Sequence, residues 1–198
     1  MVTGAQDGSS SPGATTDAYF EAMWSLGDDP WEHGTRWYEA RKYGLTVAAL
    51  PRPTYSRGFE PGCGAGFLTT RLAPRVQHLV AMERSVRGAE ATRRRCASMP
   101  NVEIRVGQIP TSWPGGTFDL IVLSEVLYYL DDASFDEVLA RTADSLQAGG
   151  HLVAVHYRQS VEEHARTGDE VHERLRRTWP DPVVGHQETD FVLEVFAP

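Results

Sequence analysis

The sequence predicts an α/β domain built on a doubly wound, mostly parallel sheet, with an N-terminal helical lid. Three observations carry this. Beyond residue 55, apolar runs of strand length alternate with helical periodicity through five strands. Phe118–Ser124 (FDLIVLS) is a continuous apolar run, as expected of a central parallel strand covered on both faces. A glycine-rich turn follows the first strand, at the end of the sheet where such folds receive ligands.

Residues 1–16 are rich in Gly, Ser, Thr and Ala and read as a disordered leader, lacking the charged and apolar halves of a signal peptide. The lid spans residues 17–50 of the single domain. Tyr19, Phe20, Met23 and Trp24 give 17–26 a helical apolar face; Pro30 lacks a donor and pushes Asp29 toward extended geometry, ending it. Tyr38, Lys42, Leu45 and Ala49 stripe a second helix over 35–50, which Pro51 stops. The core, 54–198, begins with strand 55–60, helix 66–73, strand 78–82, helix 86–97 and strands Val102–Val106 and Phe118–Ser124. Ser134 and Glu137 make an S-x-x-E capping box for a helix with Phe135, Val138, Leu139, Thr142 and Leu146 on its face, stopped at Gly149 and Gly150. A fifth strand covers 151–156, and 183–188 with Phe191–Phe196 are able to pair as a hairpin.

Composition excludes several partners. The 198 residues carry 27 Asp and Glu against 19 Lys and Arg, a formal charge of −8. Nucleic-acid affinity comes largely from neutralising phosphates, and the single basic triplet, Arg93 to Arg95, reads as a solvated helix face. No stretch approaches the roughly 18 consecutive apolar residues of a membrane span. Cys63 and Cys96 make neither a disulfide framework nor a zinc pattern, which points to a reducing cytoplasm. His156, His164 and His172 lie eight residues apart, matching no compact ligand pattern, so no metal is expected.

The residues just after each strand are the site candidates. The first strand ends in Glu60-Pro61-Gly62-Cys63-Gly64-Ala65-Gly66. Its glycines let backbone approach a ligand and open a helix whose amides face it, although a tight strand–helix turn would also use them. A dinucleotide fingerprint would need glycine at Phe67, and a phosphate-binding G-K-S/T is missing because the sole lysine, Lys42, lies elsewhere. Glu83 ends the second strand, 21 residues after Gly62, where a carboxylate can accept both hydroxyls of a ribose. Turn and acid together indicate a nucleoside ligand without phosphate machinery.

An acid before the glycines, a G-x-G turn and an acid after the second strand resemble the class I S-adenosylmethionine-dependent methyltransferases, whose fold is Rossmann-like. The resemblance implies S-adenosyl-L-methionine as cofactor. Gly62, Cys63, Gly64 and Gly66 would line its methionine and ribose, Glu60 would sit near its amino group, and Glu83, with Arg84 beside it, would hold the ribose. Gln108 and Ile109 would flank adenine, Gln108 standing where Asp is commoner, and Ser124 and Glu125 would complete the pocket. On the N-terminal helix Trp37, Tyr38 and Arg41 would fold over the amino-acid end, Arg41 gripping its carboxylate. More narrowly, Pro30-Trp31, Trp37-Tyr38-Glu39, Arg41-Lys42-Tyr43, Phe59 to Cys63, Trp113-Pro114, Tyr128-Tyr129 and Thr167 to His172 are similar to the nodulation protein S family of chitooligosaccharide N-methyltransferases, over roughly residues 28–196. Gly64-Ala65 replaces that family's Ser-Ile, Glu83 replaces Asp, and 159–166 lack its Asp-Tyr-Pro before Thr167.

The implied reaction is methylation of a small molecule, the amine of an amino sugar or a related metabolite. A hydroxyl or carboxylate acceptor, or a non-catalytic nucleoside-binding role, stays open. Displacement at a sulfonium methyl needs a dry pocket, a neutral nucleophile and close in-line approach. An amine also needs a group to take or steer a proton. His156, ending the fifth strand, is the first candidate, with Glu125 to attract a cationic amine. Asp169 and His172, at i and i+3 on one helix face, would close over the acceptor. Trp31, Tyr128, Tyr129 and His156 are the candidate acceptor contacts. Each has a plainer alternative: a core-edge histidine, an acidic first helical turn, or aromatic packing.

Overall fold

A computed structural model describes residues 13–198, and seven of its segments are strands: β1 (Tyr55–Pro61), β2 (Val76–Glu83), β3 (Val102–Val106), β4 (Phe118–Ser124), β5 (Leu146–Tyr157), β6 (Val184–Gln187) and β7 (Phe191–Phe196). They form one sheet in the order β3-β2-β1-β4-β5-β7-β6. The first five pair in parallel, and β7 runs antiparallel to both β5 and β6. The order reverses between β1 and β4, which opens a crevice beyond their carboxyl ends. Among the described residues six α-helices accompany the sheet: α1 (Asp17–Ser25), α2 (Trp37–Ala48), α3 (Thr69–Leu72), α4 (Val86–Arg95), α5 (Asp132–Ser145) and α6 (Gly168–Thr178). None is long and apolar enough to cross a membrane.

The alternation of side chains along β4 builds two core layers. Leu120 and Val122 join Tyr43 of α2 and Leu72 of α3 on one face. Ile121 and Leu123 join Phe135 and Val138 of α5 and Val171 and Leu175 of α6 on the other. All seven residues of β4 are buried, as its apolar run requires. The hairpin forms and extends the sheet through β5, with Leu152 opposite Phe196 and Tyr157 opposite Phe191.

Several local expectations change. The helix expected over 66–73 is only α3, because Gly66 adopts a left-handed φ of 81° and keeps the turn irregular through Leu68. The cap of α5 is Asp131, whose carboxylate accepts from Ser134 N–H at 2.8 Å, rather than a box between Ser134 and Glu137; the capping box is at Thr167 and Glu170 on α6. Gly149 and Gly150 do not end a helix: β5 already starts at Leu146, and the register slips between Phe118 and Leu120 to accommodate them. Residues 1–12 of the expected leader lie outside the described residues. Its last part is built into the fold, since Thr15 N–H donates to the Tyr129 carbonyl at 2.9 Å and Thr16 caps α1.

Candidate active site

The carboxyl ends of β1 to β5 and the chain leading into α2 surround a cavity of about 900 Å³, within the rough 300–1,000 Å³ range of small-molecule sites. Its first wall is the glycine turn. Gly62 has a φ of 68°, and a Cβ there would meet Val126 Cγ1 at 2.3 Å. Only glycine satisfies both the left-handed backbone and this approach of the turn to the chain leaving β4. Gly62→Ala should therefore cost about 1–3 kcal/mol, read as a lowered melting temperature. Val126→Ala in the same chain should recover the clash component alone.

Glu83 stands at the end of β2, buried, on the cavity wall. Gly64 N–H donates to its Oε2 and Ser85 N–H to its Oε1, each at 3.0 Å. Burial raises this carboxyl above its usual range despite those amides. The Arg84 N–H and the Trp24 indole also act on this carboxylate, and its roughly four acceptor directions leave room for a diol as well. Gln108, Ile109 and Arg84 line the same cavity. Arg84 is paired with Asp17 of α1 and lies over the Phe20 ring, 4.3 Å from its centroid.

The opposite chemistry gathers around Lys42. Its ammonium is almost fully buried, 2.7 Å from Glu125 Oε1 and 3.0 Å from Glu39 Oε2. Glu125 follows β4 in a left-handed conformation with a φ of 56°, uncommon for a side-chain-bearing residue. Its Oε2 accepts from Tyr157 N–H at 3.0 Å and from the Tyr128 hydroxyl. Burial alone would raise this carboxyl; the Lys42 charge, then His156 and the hydrogen bonds, outweigh it and bring it down to about 2. Burial likewise works against the Lys42 ammonium, and the two carboxylates overcome it and raise its pKa. Tyr38 lies beside this group, its ring centroid 4.9 Å from Lys42 Nζ. Its hydroxyl is buried and has no partner among the described residues. Aromatic rings complete the wall: Tyr128 stacks on His164 with centroids 3.8 Å apart, and Tyr129 meets Phe20 edge-on at 5.0 Å.

Ten of the residues singled out from the sequence thus share one cavity: Trp31, Tyr38, Gly62, Glu83, Arg84, Gln108, Ile109, Glu125, Tyr128 and Tyr129. The others stand elsewhere. Trp37 is 78 % exposed, on the outside of α2. Arg41 also faces outward, clamped on Glu188 at 2.6 Å, so it is no carboxylate grip for the cavity. Arg36 lines it instead. Cys63 turns away to the Thr92 hydroxyl at 3.8 Å, and a Cβ on Gly66 would meet Thr92 Cγ2 at 2.8 Å, so both serve packing against α4. Gly64 contributes its amide to Glu83 rather than to the wall. Ser124 is buried at the end of β4, and Glu60 lies behind the turn, its carboxyl pushed up to about 8 by burial.

The histidine expected to move the proton does not reach the cavity. His156 is fully buried off the cavity wall, with both ring nitrogens engaged. Its Nε2 accepts from Leu127 N–H at 3.4 Å, so Nδ1 carries the proton and donates to His172 Nε2 at 3.2 Å. His172 in turn donates from Nδ1 to Glu194 Oε2 at 2.7 Å, where Arg176 supplies the compensating charge at 2.8 Å. Burial, then the neighbouring His172, hold His156 well below the usual histidine pKa. Both imidazoles are neutral links between β5, α6 and β7, a satisfied polar network in the core. Asp169 is bound by Arg158 at 2.7 Å. Neither Asp169 nor His172 closes over the cavity.

His33, Arg36, Glu39, Lys42, His164 and Asp190 line the cavity without having been assigned to a ligand. Glu39 and Lys42 did leave a sign, an acid and the sole lysine three apart on one helix face. His33 and His164 lie in irregular segments where no periodicity points inward. Among the described residues no cluster of three or more His, Cys, Asp or Glu is placed to hold a metal ion.

The donor set fits an adenosylated amino acid: close-approach glycines, a carboxylate with spare acceptor capacity and a neutral amide side chain, with no phosphate cradle. Known proteins resemble this chain in sequence and fold. The family described as a methyltransferase domain matches residues 59–150. Nodulation protein S of Rhizobium tropici is 32 % identical over 128 residues, 64 % of this chain and 54 % of that protein. The chain spans about half the length of the curated relatives it matches. Among solved structures, a Pseudomonas syringae protein assigned as a methyltransferase is 37 % identical, with a TM-score of 0.73 over 82 % of this chain and all of that one. N-methyltransferase NodS from Bradyrhizobium japonicum WM9, in complex with S-adenosyl-L-homocysteine, is 26 % identical, with a TM-score of 0.82 over 92 % of this chain and 97 % of that one. Fold, glycine turn and these likenesses agree: the chain belongs to the class I S-adenosylmethionine-dependent methyltransferases and is similar to nodulation protein S.

Proposed function

We propose that this chain methylates the amine of a small molecule, an amino sugar or related amine, with S-adenosyl-L-methionine as donor. One observation carries the choice of an amine. Two buried carboxylates, Glu39 and Glu125, share the single ammonium of Lys42 beside Tyr128. That wall keeps a surplus of one negative charge. Such a surplus favours a sulfonium donor and an ammonium acceptor and works against a carboxylate acceptor. The N-methyltransferase activity named for the NodS relative supports the same reading.

In this reading the Gly62 turn and Glu83 hold the ribose and methionine part, and Gln108 and Ile109 flank adenine. Tyr38 offers its unpartnered hydroxyl to the amino-acid end. Bound there, the cofactor supplies an electrophilic methyl group, so no covalent enzyme nucleophile is required. What the protein adds is orientation and exclusion of water. Tyr128 and Tyr129 give the acceptor an apolar wall, while α1 contributes Phe20 and Tyr19.

S-Adenosyl-L-homocysteine at about 100 times its Kd should stabilise the fold by about 2.7 kcal/mol. That corresponds to roughly 5–10 °C in melting temperature for a chain of this size, whereas NADH and ATP should give no shift. Radiolabelled methyl transfer then compares glucosamine with glucose. Label on glucosamine alone is the expected result; label on glucose alone would replace the amine by a hydroxyl acceptor. Binding without transfer to any acceptor panel would leave a nucleoside-binding protein.

A further inference from the structure

We propose that His164 is the proton acceptor of the reaction, taking the proton of the acceptor's ammonium group through Nε2; this rests on the amine reading above. Asp190 also lines the cavity, on the side of Tyr38, and the acids nearest the Tyr128 wall are already committed. Glu125 and Glu39 are held by Lys42, and Glu83 by the amides of Gly64 and Ser85. His33 stacks on Trp31, centroids 5.8 Å apart, and lies over the donor turn, where a Cβ on Gly64 would meet its Nδ1 at 4.0 Å. His156 has both nitrogens engaged in the core.

His164 differs on each count. It lines the cavity on the side of Tyr128, beyond the end of β4, flat against that ring at an interplanar angle of 12°. Tyr129 packs edge-on against its other flank at 4.8 Å. The two tyrosines therefore fix the plane of the imidazole. Among the described residues its buried Nδ1 has no partner and its Nε2 makes no hydrogen bond. For Nε2 to hold the free lone pair, the resting neutral ring carries its one proton on Nδ1, which has no partner among the described residues. Burial pushes its pKa down; Glu125 after β4 and Glu163 on its own segment pull the other way, and His156 and the hydroxyls of Tyr128 and Tyr129 are the remaining titratable neighbours. The adjoining anionic wall then stabilises the imidazolium as it forms.

The step balances as follows. An acceptor ammonium loses one proton to Nε2, which frees the nitrogen lone pair. That pair forms the new N–C bond as the S–C bond breaks, and the electrons of the broken bond remain on sulfur. The imidazolium returns its proton to solvent, so each turnover releases one proton.

The test uses the full chain, radiolabelled cofactor and glucosamine. His164→Gln should lower kcat about 10²–10⁴-fold near pH 7. S-Adenosyl-L-homocysteine affinity and melting temperature should stay at their wild-type values. The defect should shrink at least about tenfold toward pH 10, where the free amine no longer needs a base. His164→Ala should regain activity when imidazole is added, which a packing role would not permit. A variant with the wild-type rate overturns the proposal, as does a loss equal at every pH and unresponsive to imidazole. Wild-type inactivity on glucosamine with transfer to glucose overturns the amine reading itself, and is scored before any variant is made.

Discussion

Lys42→Met should destabilise the fold by about 3–5 kcal/mol, because it leaves Glu125 and Glu39 buried without a counter-charge. Urea denaturation at pH 7 measures it. The double variant Lys42→Met with Glu125→Gln should be more stable than Lys42→Met alone, since one buried carboxylate, Glu39, rather than two is then left without its counter-charge. A single variant as stable as wild type would show that the lysine is dispensable to the wall. The pH dependence gives a second check. Glu125 is depressed from 4.5 to about 2, so its contribution is complete above its unfolded pKa and is lost as pH falls from about 4.5 toward 2. Lys42 is shifted upward, so its contribution is complete below its unfolded pKa and fades only as pH rises through the folded value. The stability gap between wild type and Lys42→Met should therefore be steady through neutral pH and narrow in acid.

Glu83→Ala should weaken S-adenosyl-L-homocysteine binding about 100-fold, a loss of about 2.7 kcal/mol. The loss has two parts. A ribose diol would lose its acceptor, and the amides of Gly64 and Ser85 would lose theirs, so the turn that cradles the ligand loosens. Two unsatisfied amides should also lower stability by roughly 1–3 kcal/mol each unless water replaces the carboxylate. Glu83→Gln should fall between wild type and alanine, because its amide oxygen keeps one amide partner while its NH₂ cannot accept from the other. Titration calorimetry on each folded variant separates these effects. Undiminished affinity in Glu83→Ala would remove the ribose role, whatever happened to the melting temperature.

The fold was largely legible in the sequence because its signals are local. The apolar run of β4 and the alternation of strands with helices depend on neighbours a few residues away, and both survive in the structure. Half the candidate site was legible for the same reason: Gly62, Glu83, Gln108 and Glu125 each follow a strand, and sheet topology alone brings strand ends together. What failed depended on side-chain direction. Arg41 and Lys42 are adjacent on α2, and only the packing of that helix decides that Lys42 turns inward and Arg41 meets Glu188. His156 ends the right strand, but strand parity sends its ring into the core toward His172. His164 carries no periodic or strand-end signal, and its place depends on Ala165 N–H reaching the Tyr128 carbonyl at 2.8 Å.

The composite cavity wall also bears on how such an enzyme diversifies. Gly62, Glu83, Gln108, Glu125 and Tyr128 all fall within residues 59–150, on strand ends whose spacing the sheet register dictates. His33, Tyr38, Lys42, His164 and Asp190 come from outside that stretch, mostly from loops and from a helix docked on the sheet. Loops and docked edges accept substitution, insertion and changed angle far more readily than a buried parallel sheet does. The chain therefore separates inheritance from invention. A change of acceptor is most readily accommodated by rewriting the flanks, while the strand ends stay where the sheet register holds them.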